Sequence, residues 1–313
     1  MLISKEELLT TSQRIRPFIH QTPVLTSTNL DKLTSAYCFL KCENFQKMGA
    51  FKMRGATNAI LQLTVEQKEN GVATHSSGNF AQALALAAKL NDIKAYIVMP
   101  TSAPSVKKEA VLGYGGEVID CAPTLQAREE TLKRVVKETG ATFIHPYNDY
   151  DVIAGQSTAT QELINEYPNL DYIISPIGGG GLISGTALAT QYFSPNTTVI
   201  GAEPTGADDA YRSLEKGEIV PSIHPNTIAD GLLTSLGDKT FPIIKQLVSE
   251  IILVEETEII QAMKFIWERM KLIIEPSSAL AVAAAIKNKD QFNGKKVGII
   301  ISGGNVDLEN LPF

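Results

Sequence analysis

The chain has 313 residues, 44% hydrophobic and 20% charged, with a formal net charge of −6. Such a composition belongs to a globular protein with room for two lobes. It argues against a nucleic-acid partner, which a basic surface would announce. Acidic Glu6 and Glu7 stand where a signal peptide would carry its apolar core, and no apolar run is long enough to span a bilayer. The expectation is therefore a cytosolic protein with no membrane partner. Cys38, Cys42 and Cys121 form an odd, sparse set that reads as reduced core residues, and His20, His75, His145 and His224 show no metal-ligand spacing.

In chain order, the strand-like run Tyr37–Cys42 leads into Asn44-Phe45-Gln46-Lys47-Met48-Gly49-Ala50-Phe51-Lys52, where a helical pattern through Ala59, Ile60 and Leu63 begins. Strands then alternate with helices: 72–74 with 80–90, 95–99 with 105–112, and 117–119 with 125–138. A second series follows: helix 152–167, strand 172–175, helix 182–192, strands 199–202 and 251–254, helix 256–270 and strand 296–301. Alternation of this kind predicts an α/β protein with two open parallel sheets covered by helices. The smaller unit spans 68–148, and the site is expected in the crevice at the carboxyl ends of the strands.

Gly178, Gly179, Gly180 and Gly181 lie between the apolar run Tyr172-Ile173-Ile174 and the helical pattern from Leu182. Backbone without side chains, opening a helix whose first amides lack internal partners, makes a phosphate cradle. A tight turn would need only one or two glycines. No Walker lysine follows, and no well-formed G-x-G-x-x-G unit with an acidic residue at the ribose distance is present, so an oxidoreductase reading is weak. Lys52, between Phe51 and Met53, is expected to be partly desolvated, which favours a neutral amine able to condense with an aldehyde. Taken alone it reads as a surface lysine. Beside a phosphate cradle it looks like a pyridoxal phosphate anchor.

Other loops carry chemistry with plain alternatives. Ser76-Ser77-Gly78-Asn79 offers hydroxyls and amides to a carboxylate at a helix start, or serves as cap and turn. Glu203, followed by Asp208 and Asp209, is a hard-cation site or an acidic helix start with Asp208 as its cap. Ser302, ahead of Gly303-Gly304-Asn305, reads alone as a turn residue. Arg128 faces either solvent or the cleft.

The blocks around Lys52, His75–Asn79, Gly178–Gly181, Ala202-Glu203-Pro204, Ile228–Gly231 and Ser302–Asn305 come in the order and spacing of fold-type II pyridoxal phosphate enzymes. The chain, from about Ile15 to Val306, resembles the serine/threonine dehydratase group that contains the serine racemases. This resemblance implies a large domain of residues 1–67 and 149–313 and a mobile small domain of 68–148. It implies racemisation of serine with dehydration to pyruvate and ammonia; threonine and 3-hydroxyaspartate dehydratases are the close alternatives, and a silent binding protein of the same fold is a more distant one. Lys52 would be the cofactor anchor and the base on one face, Ser77 the acid/base on the other. Ser76, Ser77, Gly78 and Asn79 would hold the substrate carboxylate, with Arg128 arriving on closure. Asn79 would meet the cofactor ring oxygen and Ser302 its pyridine nitrogen. Glu203, Asp209 and the Ala207 carbonyl would hold Mg2+ (or Ca2+ or Mn2+). Lys47, Gln82, Tyr114, Lys271 and Asn305 match an ATP activator site at the interface of a homodimer. Two departures stand out: Phe80 where relatives often carry histidine, and Met48 where a hydroxyl residue is usual.

Overall fold

The structure, a computed structural model, describes residues 3–103 and 105–313. Its strands are β1 (Val24–Leu25), β2 (Tyr37–Cys42), β3 (Val72–His75), β4 (Ala95–Pro100), β5 (Glu117–Cys121), β6 (Thr142–Phe143), β7 (Tyr172–Pro176), β8 (Thr198–Pro204), β9 (Glu250–Val254) and β10 (Lys296–Ile301). They form a six-stranded sheet in the order β1-β2-β10-β7-β8-β9 and a four-stranded sheet in the order β5-β4-β3-β6. Only β1 runs antiparallel; every other pairing is parallel.

Parallel strands buried on both faces need continuous apolar runs, and β7 and β10 supply them in Tyr172-Ile173-Ile174 and Val297-Gly298-Ile299-Ile300-Ile301. The last strand inserts between β2 and β7, pairing Ile299 with Leu40 on one side and with Ile174 on the other. This register carries Ser302 to the same sheet end as the segment that follows β2. It also brings the ends of β7 and β10 side by side, at the point where the strand order reverses and open parallel sheets form a crevice.

Helix Pro276–Lys287, not expected from the sequence, packs against the large sheet with nearly every side chain buried. Its run Ala-Leu-Ala-Val-Ala-Ala-Ala is apolar all round, so it lacks the one-sided periodicity that marks a surface helix. The helix expected over 256–270 keeps α geometry only through Phe265. Residues Ile266–Met270 widen into a π turn, and Lys271 ends it in the left-handed region at φ 59°.

Helix Lys52–Leu61 lies between the two sheets. Its Met53, Ala56, Ala59 and Ile60 join a core with Val72, Phe80, Leu84 and Ile97 of the smaller unit, and its other side packs on helix Tyr150–Glu166. No helix among the described residues is long and apolar enough to cross a membrane.

Candidate active site

The glycine loop sits between the end of β7 and helix Gly181–Phe193, with Gly180 in the left-handed region at φ 88°. Side chains are barred here. A Cβ on Gly179 would overlap the Tyr147 ring, one on Gly180 would lie 2.7 Å from Ile244, and one on Gly178 would lie 3.0 Å from the Leu232 backbone. The Thr240 hydroxyl locks the loop by donating to the Gly179 carbonyl at 2.9 Å. The helix opens with no side-chain cap, so its first amides remain for an anion.

Lys52 is the first residue of its helix, and its Nζ donates to the Pro146 carbonyl at 2.9 Å. The amine also stands 5.0 Å from the Phe51 ring centroid and 5.7 Å from that of Phe80. Burial drives its pKa down to about 8, although Glu275 works in the opposite direction. Phe80, the departure from the histidine of relatives, is 2% exposed and forms part of this dry wall.

Ser302 is buried at the end of β10, its Oγ 2.9 Å from Ser278 Oγ. Ser278 accepts from the Gly303 amide and donates to the Gly303 carbonyl, both at 2.6 Å. With its single proton committed there, Ser278 is an acceptor toward Ser302. The Ser302 carbonyl receives the Phe51 amide at 3.0 Å, tying the Lys52 segment to the β10 end.

Asn79 opens helix Asn79–Lys89, where Gly78 precedes it without a side-chain cap bond. The cap reading of this loop is therefore not what its side chains do. Asn79 Nδ2 instead donates to both Glu275 oxygens at 3.0 and 3.1 Å, and its Oδ1 accepts from Asn305 Nδ2 at 2.9 Å. Ser76 Oγ accepts the Gly78 amide at 3.3 Å, and a Cβ on Gly78 would meet nothing within 4 Å. Glu275 is 3% exposed, and burial pushes its carboxyl up to about 7. Sequence reasoning missed it, although Glu-Pro ahead of an apolar run marks a helix start. Pro146 and Tyr147 were missed as well, with only their place between β6 and a long helix as a signal.

Arg128, on helix Leu125–Thr139, is half-buried, and its Nε is buried without a hydrogen-bond partner. Its charge adds to burial in lowering the pKa of His75, which precedes the Ser76–Asn79 loop.

Glu203 ends the sheet as a 1%-exposed carboxylate accepting the Ala210 and Tyr211 amides, each at 2.8 Å. Glu203, not Asp208, thus takes the free amides of helix Asp209–Lys216; Asp208 pairs with Arg212 at 2.7 Å. Burial raises Glu203 to about 9 and Asp209 to about 6, and Asp209 Oδ2 is buried without a partner. Two buried carboxyls with an orphaned oxygen, beside buried Ala207, suit a hard cation.

Lys271 and Asn305 share a surface pocket of about 390 Å³ with Asn44, Gly49 and Ile273. Lys47, Gln82 and Tyr114 do not line it.

The profile described as "Pyridoxal-phosphate dependent enzyme" matches residues 15–303. The chain is 51% identical to a β-hydroxyaspartate dehydratase of Paracoccus denitrificans, covering 98% of each chain. It is 52% identical to a serine racemase of Dictyostelium discoideum over 99% of this chain and 97% of that one. The structure of maize serine racemase superposes with a TM-score of 0.97 at 46% identity, covering 99% of this chain and 95% of that one.

Proposed function

Because this chain belongs to the pyridoxal-phosphate dependent enzymes, we propose that it racemises serine and dehydrates L-serine to pyruvate and ammonia. The observation that carries this reading is the desolvated Lys52 amine standing at the crevice formed by the glycine loop, Ser302 and Asn79. The side-chain-free, helix-opening glycine loop fits a phosphate, and the dry amine fits an aldehyde.

Residues Gly178–Gly181 would hold the phosphate, Lys52 the aldehyde carbon, Asn79 the ring oxygen and Ser302 the pyridine nitrogen. When bound, the group supplies an electron sink for the α-carbanion of an amino acid. Freed from the aldehyde carbon when the substrate amine takes its place there, the desolvated Lys52 Nζ would take the α-proton on its face. Ser77 Oγ returns a proton on the opposite face, which inverts configuration. Amides and hydroxyls of Ser76–Asn79 orient the substrate carboxylate at the start of helix Asn79–Lys89. Ser302 is a neutral hydroxyl, a weaker support for a protonated ring than a carboxylate, so β-elimination competes with reprotonation. Phe51 and Phe80 keep water from the amine.

In this reading the small unit 68–148 closes on the unit made of 1–67 and 149–313, in a cytosolic homodimer. Mg2+ would be held by Glu203, Asp209 and the Ala207 carbonyl, and serve structure more than chemistry. ATP would activate through Lys47, Gln82, Tyr114, Lys271 and Asn305, with the Lys271–Asn305 pocket as its entry.

A second reading, dehydration of a 3-hydroxyaspartate, is favoured by the unpartnered Arg128 Nε, which suits an extra carboxylate. One experiment separates the two. The purified protein is given L-serine, L-threonine and the 3-hydroxyaspartates, and keto acid and D-serine are measured separately. D-serine formation supports the first reading; keto acid from hydroxyaspartate alone, with no D-serine, replaces it with the second.

A further inference from the structure

A neutral cluster of four charged side chains, three of them fully buried and Glu162 16% exposed, gathers around Arg54, two residues past Lys52. Arg54 is fully buried and forks onto Glu43, Nε to Oε2 at 2.6 Å and Nη2 to Oε1 at 2.8 Å. It forks again onto Glu162, Nη1 to Oε1 and Nη2 to Oε2, both at 2.8 Å. Nη1 also donates to Thr158 Oγ1 at 3.1 Å. Lys41, buried as well, donates to Glu162 Oε2 and to the Thr22 carbonyl at 2.6 Å each, and Thr22 Oγ1 donates to Glu43 at 2.5 Å. Burial pushes the Glu43 carboxyl up, but Arg54 and Lys41 outweigh it and hold it below the usual carboxylate range.

Stability does not explain such a cluster. Desolvating four charges costs about as much as their pairing returns, and apolar residues of like volume are often neutral or better. What a fully satisfied network does supply is one arrangement of the pieces it joins. Those pieces are informative. Lys41 is on β2, Glu43 follows it, Arg54 is on the first turn of the Lys52 helix, and Thr158 and Glu162 lie on helix Tyr150–Glu166. The intervening residues 43–51 form irregular turns with Met48 left-handed at φ 57°, so no ladder of backbone bonds sets their place. One side of this segment is tied to the β10 end through Phe51 and Gly49. The other side has Arg54. Two residues apart on a helix, Lys52 and Arg54 project about 200° from one another, so anchoring one aims the other. Helix Tyr150–Glu166 follows directly on the turn whose Pro146 carbonyl receives the Lys52 amine. The cluster therefore joins the backbone of Lys52 to the helix that begins just after its acceptor's turn.

We propose that Arg54, with Glu43, Glu162 and Lys41, is a positioning residue that aims the Lys52 amine into the cofactor site. The inference rests on Lys52 being the attachment residue. The test uses the full chain freed of cofactor: pyridoxal phosphate is added over a range of pH, borohydride traps the product, and the label is mapped while melting is measured in parallel. The apolar quartet Lys41→Met, Glu43→Leu, Arg54→Met, Glu162→Leu should melt within a few degrees of wild type or above it. It should be labelled at Lys52 at least tenfold more slowly, with the pH midpoint raised above that of wild type. If the quartet does not fold, Arg54→Lys decides: it keeps the charge, loses the fork, and should be labelled at least threefold more slowly with the same upward pH shift. Labelling of the folded variant at the wild-type rate and pH midpoint would overturn the proposal while leaving the anchor role of Lys52 intact. Wild-type protein that takes no label at Lys52 would overturn the anchor role itself.

Discussion

The two walls of the crevice are built on opposite plans. On the large-sheet side the glycine loop is jammed: an added Cβ at Gly178, Gly179 or Gly180 would press on Leu232, Tyr147 or Ile244, and Thr240 pins a carbonyl. On the small-sheet side Gly78 has open space around it, and the Ser76–Gly78 loop has one side-chain bond of its own at 3.3 Å. A group that stays bound through many turnovers is best met by a preorganised surface, because reorganisation then costs nothing at the moment of reaction. A substrate that must enter and leave is better met by a loop free to move. Asn79 stands at the seam, on the small-sheet side by sequence but bonded to Glu275 and Asn305 on the large-sheet side.

That contrast can be tested from the strongest effect downward. Lys52→Ala should abolish the yellow colour of reconstituted protein and all turnover, checked by visible absorbance and keto-acid assay. Gly179→Ala should lose about 1–3 kcal/mol of stability in a denaturant titration, as overpacking does, and weaken cofactor retention; wild-type values would mean that the Tyr147 contact is not tight. Ser77→Ala should cut racemisation by about 100-fold or more, the usual range for a lost acid/base, while L-serine dehydration persists. Equal loss of both activities would remove Ser77 from its role. Covalent capture by cofactor-free protein should rise about tenfold per pH unit and level off above about 8, since only the neutral Lys52 amine reacts. A midpoint near the ordinary lysine value would mean that Phe51 and Phe80 do not keep the amine dry. The smallest effect is expected at Gly78→Ala, whose cofactor retention should match wild type within about twofold, because the added methyl meets nothing.

The π turn at Ile266–Met270 and the buried helix Pro276–Lys287 show where local patterns lose their reach. An amphipathic period marks a helix that borders solvent; a helix apolar on every side has no such mark. β1 and β6 are two residues each, too short for any alternation to register. The cap that the acidic-helix-start alternative put at Asp208 is made by Glu203, because the end of β8 delivers that carboxyl to the helix amides.

The place of Lys52 among apolar neighbours at a helix start, and of the four glycines at another, was legible from the chain alone, because both signals are local. The alternation of strands and helices likewise announced two parallel sheets. Only the folded chain could decide which groups stand opposite them. Pro146 meets Lys52 across 94 residues, Glu275 meets Asn79 across 196 and Asn305 meets Asn79 across 226. Such pairings follow from the insertion of β10 between β2 and β7 and from the packing of one helix between two sheets, which no window of sequence contains.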